Sequence, residues 1–331
     1  MDLPLLSALF CAFALGLYVM LDGFDLGVGM LFPFAPDEEA RRHMLASISP
    51  VWDGNETWLV VSAAVLFGAF PLVYSLLLSA FYLPLLVMLC ALILRGVAFE
   101  FRAKAGGFMR WVWDAGFVGG SYAASFVQRV TVGALVQGLP VTDGRYTGGP
   151  FSWLGALPLL CGVGLCLGYC LLGAGWLSYR TSQDVHDLAY RWLPRLLVAV
   201  GVFLVLAFVL SLALELRVMH RWIERPILIV FPLAGALACA VMLRSIRNRR
   251  DLVPFLCTIA LFVTAFLTLA MSFLPYMVPF SVTIEQAAAP HSSLAFLFWG
   301  AGIFVLPLTL IYTLIVYFVF KGKIDPTAKY H

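Results

Sequence analysis

Nine apolar stretches, each long enough to cross a bilayer, follow one another along this chain with only short polar joints between them. A span needs about 20 apolar residues to cross roughly 30 Å of hydrocarbon. The stretches 5–31, 55–73, 76–98, 111–138, 153–178, 193–215, 226–246, 252–274 and 294–320 meet that demand. Lipid offers no partner to an unpaired backbone amide, so helices or a closed barrel are the available solutions. No ten-residue alternating segments suggest a barrel. The expectation is an all-α polytopic membrane protein with nine transmembrane helices. At 62% hydrophobic and 12% charged over 331 residues, the composition excludes an ordinary soluble domain. The first run lacks a basic front and a small-residue cleavage site, so it reads as a retained span.

Orientation follows from Lys and Arg, which cytoplasmic connections hold in excess. With the N-terminus outside, the inner connections carry sixteen of them: Arg41 and Arg42; Arg95, Arg102, Lys104 and Arg110; Arg180, Arg191 and Arg195; Arg244, Arg247, Arg249 and Arg250; and Lys321, Lys323 and Lys329. The outer connections carry four, Arg145, Arg217, Arg221 and Arg225, and Arg129 lies within a span. This asymmetry predicts N-out and C-in. Because these cations sit in short loops, the net charge of +3 gives no reason to expect a nucleic-acid partner. The joint 71–75 is so short that spans two and three should be antiparallel neighbours. Pro275 and Pro279 should end helix eight sharply.

Charge inside the apolar runs is the chemical signal. Asp22 and Asp25 lie three apart, on one face of a helix, and Asp22 is about 13 Å from the inner end of span one at 1.5 Å rise per residue. Asp53 and Glu56 open span two beside Asn55. Ionisable groups at membrane depth are costly unless they face protein or water, and four carboxyls at one membrane face point to a site that loads protons from the cytoplasm. Two structural alternatives stand beside that reading. Gly23, Gly27 and Gly29 could break the first helix and leave amides for the aspartates to bond. Asp53 and Glu56 have capping-box spacing. Glu100, Arg102 and Asp114 read as interfacial anchors with an ion pair. Arg129, in mid-span beside Gln128, either snorkels outward or meets a buried partner on another subunit.

Other chemistries lack their residues. The histidines, His43, His186, His220, His291 and His331, fall in loops or at the end, whereas a bundle-held haem needs inward-facing ligands at span depth. Met88, Met242 and Met271 read as flexible core filler. The seven cysteines lie inside apolar runs and form no C-x-x-C pair; Cys166 and Cys170 lack further ligands, so no metal site is expected. There is no phosphate loop, dinucleotide fingerprint or nucleophile elbow.

The motifs Asp22-Gly23-Phe24-Asp25-Leu26-Gly27-Val28-Gly29, Pro50-Val51-Trp52-Asp53-Gly54-Asn55-Glu56-Thr57-Trp58-Leu59, Ser79-Ala80-Phe81-Tyr82-Leu83-Pro84 and Leu94-Arg95-Gly96-Val97-Ala98-Phe99-Glu100-Phe101-Arg102 closely resemble subunit II of the cytochrome bd-type ubiquinol oxidases. So do Val136-Gln137-Gly138 and Phe273-Leu274-Pro275-Tyr276-Met277-Val278-Pro279. The likeness runs in order through nearly the whole chain, and the compact outer loops resemble the cyanide-insensitive branch. The resemblance implies two four-helix bundles, 1–138 and 153–274, and a peripheral helix, 294–320. It also implies a subunit with no haem of its own, paired with a subunit I that carries haem b and haem d, and in some complexes a small single-helix accessory subunit. Such a complex lies in the bacterial cytoplasmic membrane, oxidises quinol and reduces oxygen to water. It further implies a proton path containing Asp25 and Asp53, with Asp22, Glu56 and Asn55 in the same motifs, no catalytic residue proper in this chain, and a structural quinone for which Trp58 would form a wall. Arg129 departs from the family pattern, and Thr57 beside Glu56 could add a hydroxyl to the path. A proton-coupled transporter and a purely structural membrane partner remain as rival functions.

Overall fold

The structure, a computed structural model, describes residues 2–214 and 216–324; Lys329 and His331 lie outside the described residues. Thirteen α-helices carry the chain: α1 (Leu3–Leu31), α2 (Glu38–Ile48), α3 (Trp52–Ala69), α4 (Pro71–Arg102), α5 (Gly107–Gln137), α6 (Ala156–Arg180), α7 (Gln183–Ala213), α8 (Arg217–Glu224), α9 (Val230–Arg247), α10 (Leu252–Phe273), α11 (Ile284–Ala287), α12 (His291–Ala295) and α13 (Ile303–Val319). All nine apolar stretches fall on helices.

By length and apolar composition, six of these are fit to cross a membrane: α1, α4, α6, α7, α9 with the turn before it, and α10. A seventh arises if His291–Gly300 and Ile303–Val319, bent by 40°, form one broken span. α3 and α5 fall short of that test. α3 spends its first turns on Asp53, Asn55 and Glu56, and α5 is diluted by Arg110, Asp114, Gln128 and Arg129 among glycines and serines. α7 begins at Gln183, ten residues before the apolar stretch that marked it, because its first turns are polar yet helical.

The connections decide which helices meet. Phe70 alone separates α3 from α4, and at their far ends the Trp52 and Phe99 rings lie 5.2 Å apart, so the two run antiparallel as the short joint required. α4 bends at Phe81 (φ −123°, ψ 21°), three residues before Pro84, whose ring removes a backbone donor. α10 stops at Phe273, ahead of the prolines, and gives way to a short antiparallel pair, β3 (Tyr276–Val278) and β4 (Val282–Thr283). A similar pair, β1 (Val141–Thr142) and β2 (Arg145–Tyr146), follows α5.

α1 is the central helix, packed against α3, α5 and α6. Its approach to α6 is closer than side chains allow: a Cβ on Gly27 would lie 1.8 Å from the Tyr169 carbonyl oxygen, and one on Gly173 would lie 2.5 Å from the Gly27 carbonyl carbon. Glycine at both positions lets backbone touch backbone, as small residues do where membrane helices pack. Around this crossing lies the main core, including Phe24, Leu26, Met30, Phe117, Leu172, Trp176 and Leu193. α13 has no fully buried residue among those described, yet Val316 and Tyr317 pack against that core.

Candidate functional site

The glycines of α1 do not break it. The helix runs continuously from Leu3 to Leu31, and the aspartates bond side chains rather than freed amides. Asp22 and Asp25 are both 0% exposed, on a helix packed against α3, α5 and α6.

Arg95 answers Asp22. Its Nη1 donates to Asp22 Oδ1 at 3.1 Å and lies 3.9 Å from Glu56 Oε2. Sequence reading had placed Arg95 in an inner connection. The structure corrects this: Arg95 lies inside α4, 1% exposed, seven residues or about 10 Å from the helix end at Arg102. A cation at that depth requires a counter-ion, and that demand was the available signal.

Asp25 is held differently. Asn55 Nδ2 donates to Asp25 Oδ2 at 2.7 Å and to the Leu21 carbonyl at 3.3 Å, while the Tyr317 hydroxyl donates to Asn55 Oδ1 at 2.9 Å. Asp25 Oδ1, Asp22 Oδ2, Arg95 Nε and Trp58 Nε1 are buried with no hydrogen-bond partner in the chain. Buried polar groups are ordinarily satisfied, so these atoms mark places where water or a partner group would be expected.

The capping box does not form. α3 begins after Val51 with no side-chain cap; Asp53 is exposed in the first turn, and Glu56 turns toward Arg95 with 28% of its side chain exposed. The two residues therefore grade from surface to interior along one helix. Thr57 donates to the Asp53 carbonyl, so its hydroxyl is already committed. Trp58 is fully buried in a cluster with Ala14 and Tyr18, with Leu306 and Leu310 of α13 packed over it.

A second polar thread reaches the cluster from α5 and α6. Tyr169 Oη donates to Gln128 Oε1 at 3.3 Å, and Gln128 Nε2 donates to Tyr18 Oη at 2.6 Å; Tyr18 adjoins Asp22. Gln128 was noted in the sequence only as the neighbour of Arg129, and Tyr18, Tyr169 and Tyr317 did not stand out, since single Tyr residues in apolar runs look like ordinary packing. Arg129 forms no hydrogen bond or ion pair with the described residues.

Several other charged groups pair with one another. Arg102 bonds Asp114 and, at 2.9 Å, Glu38 Oε2; Arg41 reaches Asp114 at 3.1 Å. The ion pair expected between Arg102 and Asp114 is thus present, while Glu100 is exposed. Beyond α13, Lys323 lies 2.8 Å from Asp251 Oδ2, and His186 and Tyr190 meet Asp251 Oδ1 at 2.9 and 3.1 Å. Arg180 bonds the Gly322 carbonyl, and Ile324 N donates to the Arg180 carbonyl at 2.8 Å. Burial alone would lift the Asp251 carboxyl, but hydrogen bonds from Lys323, His186 and Tyr190 hold it below its ordinary value.

No group of three or more candidate ligands that could hold a metal ion occurs among the described residues. Chemically, the site sets one guanidinium against three carboxyls, two of them wholly buried and Glu56 part-exposed. Such an arrangement leaves charge to be balanced, and protons are the simplest counter-ions.

Comparison with known proteins gives a consistent result. Residues 3–320 match the family described as cytochrome bd terminal oxidase subunit II. The chain is 31% identical to a probable cytochrome oxidase subunit 2 of Haemophilus influenzae, over 92% of this chain and 90% of that one. It is 34% identical to the cytochrome bd ubiquinol oxidase subunit 2 of Bacillus subtilis, over 71% and 69%, and 38% identical to the cytochrome bd-I ubiquinol oxidase subunit 2 of Escherichia coli K12, over 51% and 46%. In fold it resembles a chain in the structure of bd oxidase from Geobacillus thermodenitrificans, with a TM-score of 0.75 over 97% of this chain and 99% of that one at 17% identity.

Proposed function

Because the chain belongs to the cytochrome bd terminal oxidase subunit II family, we propose that it carries protons from the cytoplasm toward the oxygen-reducing centre of its complex. Membership makes it a subunit of a terminal oxidase. The observation that carries the proton reading is Asp25: wholly buried, bonded on one oxygen by Asn55, and unbonded on the other. Asp53 at the surface and Glu56 half-way in supply the entrance, Asp22 is the fixed counter-ion of Arg95, and the unpartnered atoms between them suit a water chain.

In this reading all nine long helices span the bacterial cytoplasmic membrane, N-out and C-in. They form two four-helix bundles, 1–138 and 153–274, joined along α1 and α6, with α13 outside. The partner is the haem-bearing subunit I, and the complex oxidises quinol and reduces oxygen to water. The donors of this chain do not fit a haem: the four described histidines stand at helix starts or in the short helices α2 and α8, His186 is engaged by Asp251, and Met242 lies against Thr258. Haem b and haem d are therefore assigned to subunit I. A quinone held against Trp58 would have to displace Leu306 and Leu310. A transporter would call for discontinuous helices about a midplane site, and α1 is unbroken.

The test replaces Asp25 or Asp53 by Asn in the purified complex and measures quinol-driven oxygen uptake. A loss on the order of 100-fold in the Asp25 variant is expected from removal of an obligatory proton carrier. Full activity in both variants would remove the proton role and leave a structural partner.

A further inference from the structure

Tyr317 is out of place for a residue on an outer helix. α13 buries no residue completely, and a tyrosine on a lipid-facing helix ordinarily turns its hydroxyl to the interface. Here the hydroxyl points inward and donates to Asn55 Oδ1 at 2.9 Å, across 262 positions of sequence. Its ring is wedged among aromatic side chains, 6.1 Å from Trp176 and 6.4 Å from Phe24, the residue directly before Asp25. The end of α13 is tied down just beyond it: Gly322, Lys323 and Ile324 are held by Arg180 and Asp251. An otherwise peripheral helix is thus anchored so that one hydroxyl reaches the buried site.

The bond matters because Asn55 is an amide with two faces. Its Nδ2 serves two acceptors, Asp25 Oδ2 and the Leu21 carbonyl, and Tyr317 supplies the one donor to its Oδ1. While Asp25 is ionised, two acceptors suffice to keep the amino group turned toward them. Once Asp25 takes up a proton, the amide gains a competing arrangement, flipped, with its oxygen accepting the new carboxyl O–H. The flip would take the donor from the Leu21 carbonyl, which has no hydrogen to give, and would make the Tyr317 hydroxyl, a better donor than acceptor, accept from Nδ2 instead; the Tyr317 bond to Oδ1 therefore opposes it.

We infer that Tyr317 is a positioning residue that locks Asn55 as a donor to Asp25 Oδ2, so that Asp25 loads and releases its proton on Oδ1. This rests on Asp25 belonging to the proton path. Oδ1 is the oxygen with no partner in the chain, so a proton there is held by no group of this chain and can pass to a water or partner group of the path, whereas one caught between Oδ2 and a flipped Asn55 is held. The proton enters on Oδ1 and leaves from Oδ1, and Asn55 and Tyr317 neither gain nor lose one.

The test uses the purified complex and its reduced-minus-oxidised infrared difference spectrum, in which the band of protonated Asp25 is identified by its disappearance in Asp25→Asn. In Tyr317→Phe the band should move or split as the flipped amide is populated. Oxygen uptake should fall about three- to tenfold, the factor set by one hydrogen bond, with haem absorbance per chain and the KM for quinol unchanged. In an Asn55→Leu background, Tyr317→Phe should change neither readout further. A band unmoved in Tyr317→Phe, or a full additional effect in the Asn55→Leu background, would overturn the inference even where Asp25→Asn abolishes turnover. Wild-type turnover in Asp25→Asn would instead sink the proton path itself.

Discussion

Arg95 and Asp22 form an ion pair with 2% and 0% of their side chains exposed, 3.1 Å apart. Removing one member of such a pair strands a charge, whereas removing both removes the problem. Arg95→Leu should destabilise the chain by about 3–5 kcal/mol, and Arg95→Leu combined with Asp22→Leu by much less. Thermal melting of the purified complex checks this, with Asp22→Leu alone as the third variant: a double-variant loss equal to the sum of the two single losses would mean the pair is not coupled.

Gly27 lies against the Tyr169 carbonyl, with no flexible side chain there to give way. Gly27→Ala should cost about 1–3 kcal/mol by forcing α1 from α6, while Gly201→Ala, where a Cβ meets nothing, should be neutral. The two variants can be compared by the temperature at which the complex loses its visible spectrum.

The Asp251 clamp on the segment after α13 has a defined pH response. Its carboxyl is held below the ordinary value of 3.8, so the clamp's contribution is complete above that value and is lost as pH falls through the lower folded one. The group is part-exposed, with 29% of its side chain accessible, so solvent screening keeps the contribution small. Proteolytic cleavage near Lys323 should accelerate only below about pH 4, and Asp251→Asn should make cleavage faster at neutral pH. An unchanged rate in that variant would show that Arg180 holds the segment without it.

Orientation can be read by labelling. Cysteines placed at Asp143 and at Arg249 should differ in intact cells, the first reacting with a membrane-impermeant maleimide and the second only after lysis. The reverse pattern would invert the topology read from Lys and Arg.

The long apolar helices and the motif carboxylates were legible in the sequence because hydropathy and charge are local properties. Asp22, Asp25, Asn55 and Glu56 do converge. Their partners were not legible, since Arg95 was read by sign and loop position rather than by depth, and Tyr317 meets Asn55 only across nine intervening helices. Asp53 was grouped with the other acids, but the face of α3 on which it lies is exposed. The capping-box and broken-helix alternatives failed for a shared reason. Both assumed that a carboxylate's nearest donor would be local backbone, whereas here Arg95 and Asn55 arrive from other helices.

The single-residue joint at Phe70 bears on how the protein is made. α3 is too polar at its start to be assigned to a bilayer by composition, and α4 is among the helices that qualify without help. Joined so tightly, the two form one hairpin, which sets Glu56 3.9 Å from Arg95 with opposite charge, and in the proposed nine-span arrangement that hairpin enters the membrane as a unit. An acid and its base would thus arrive in a single insertion event, and α3 should stay outside the lipid in a fragment ending at Ala69 but enter it in one ending at Arg102.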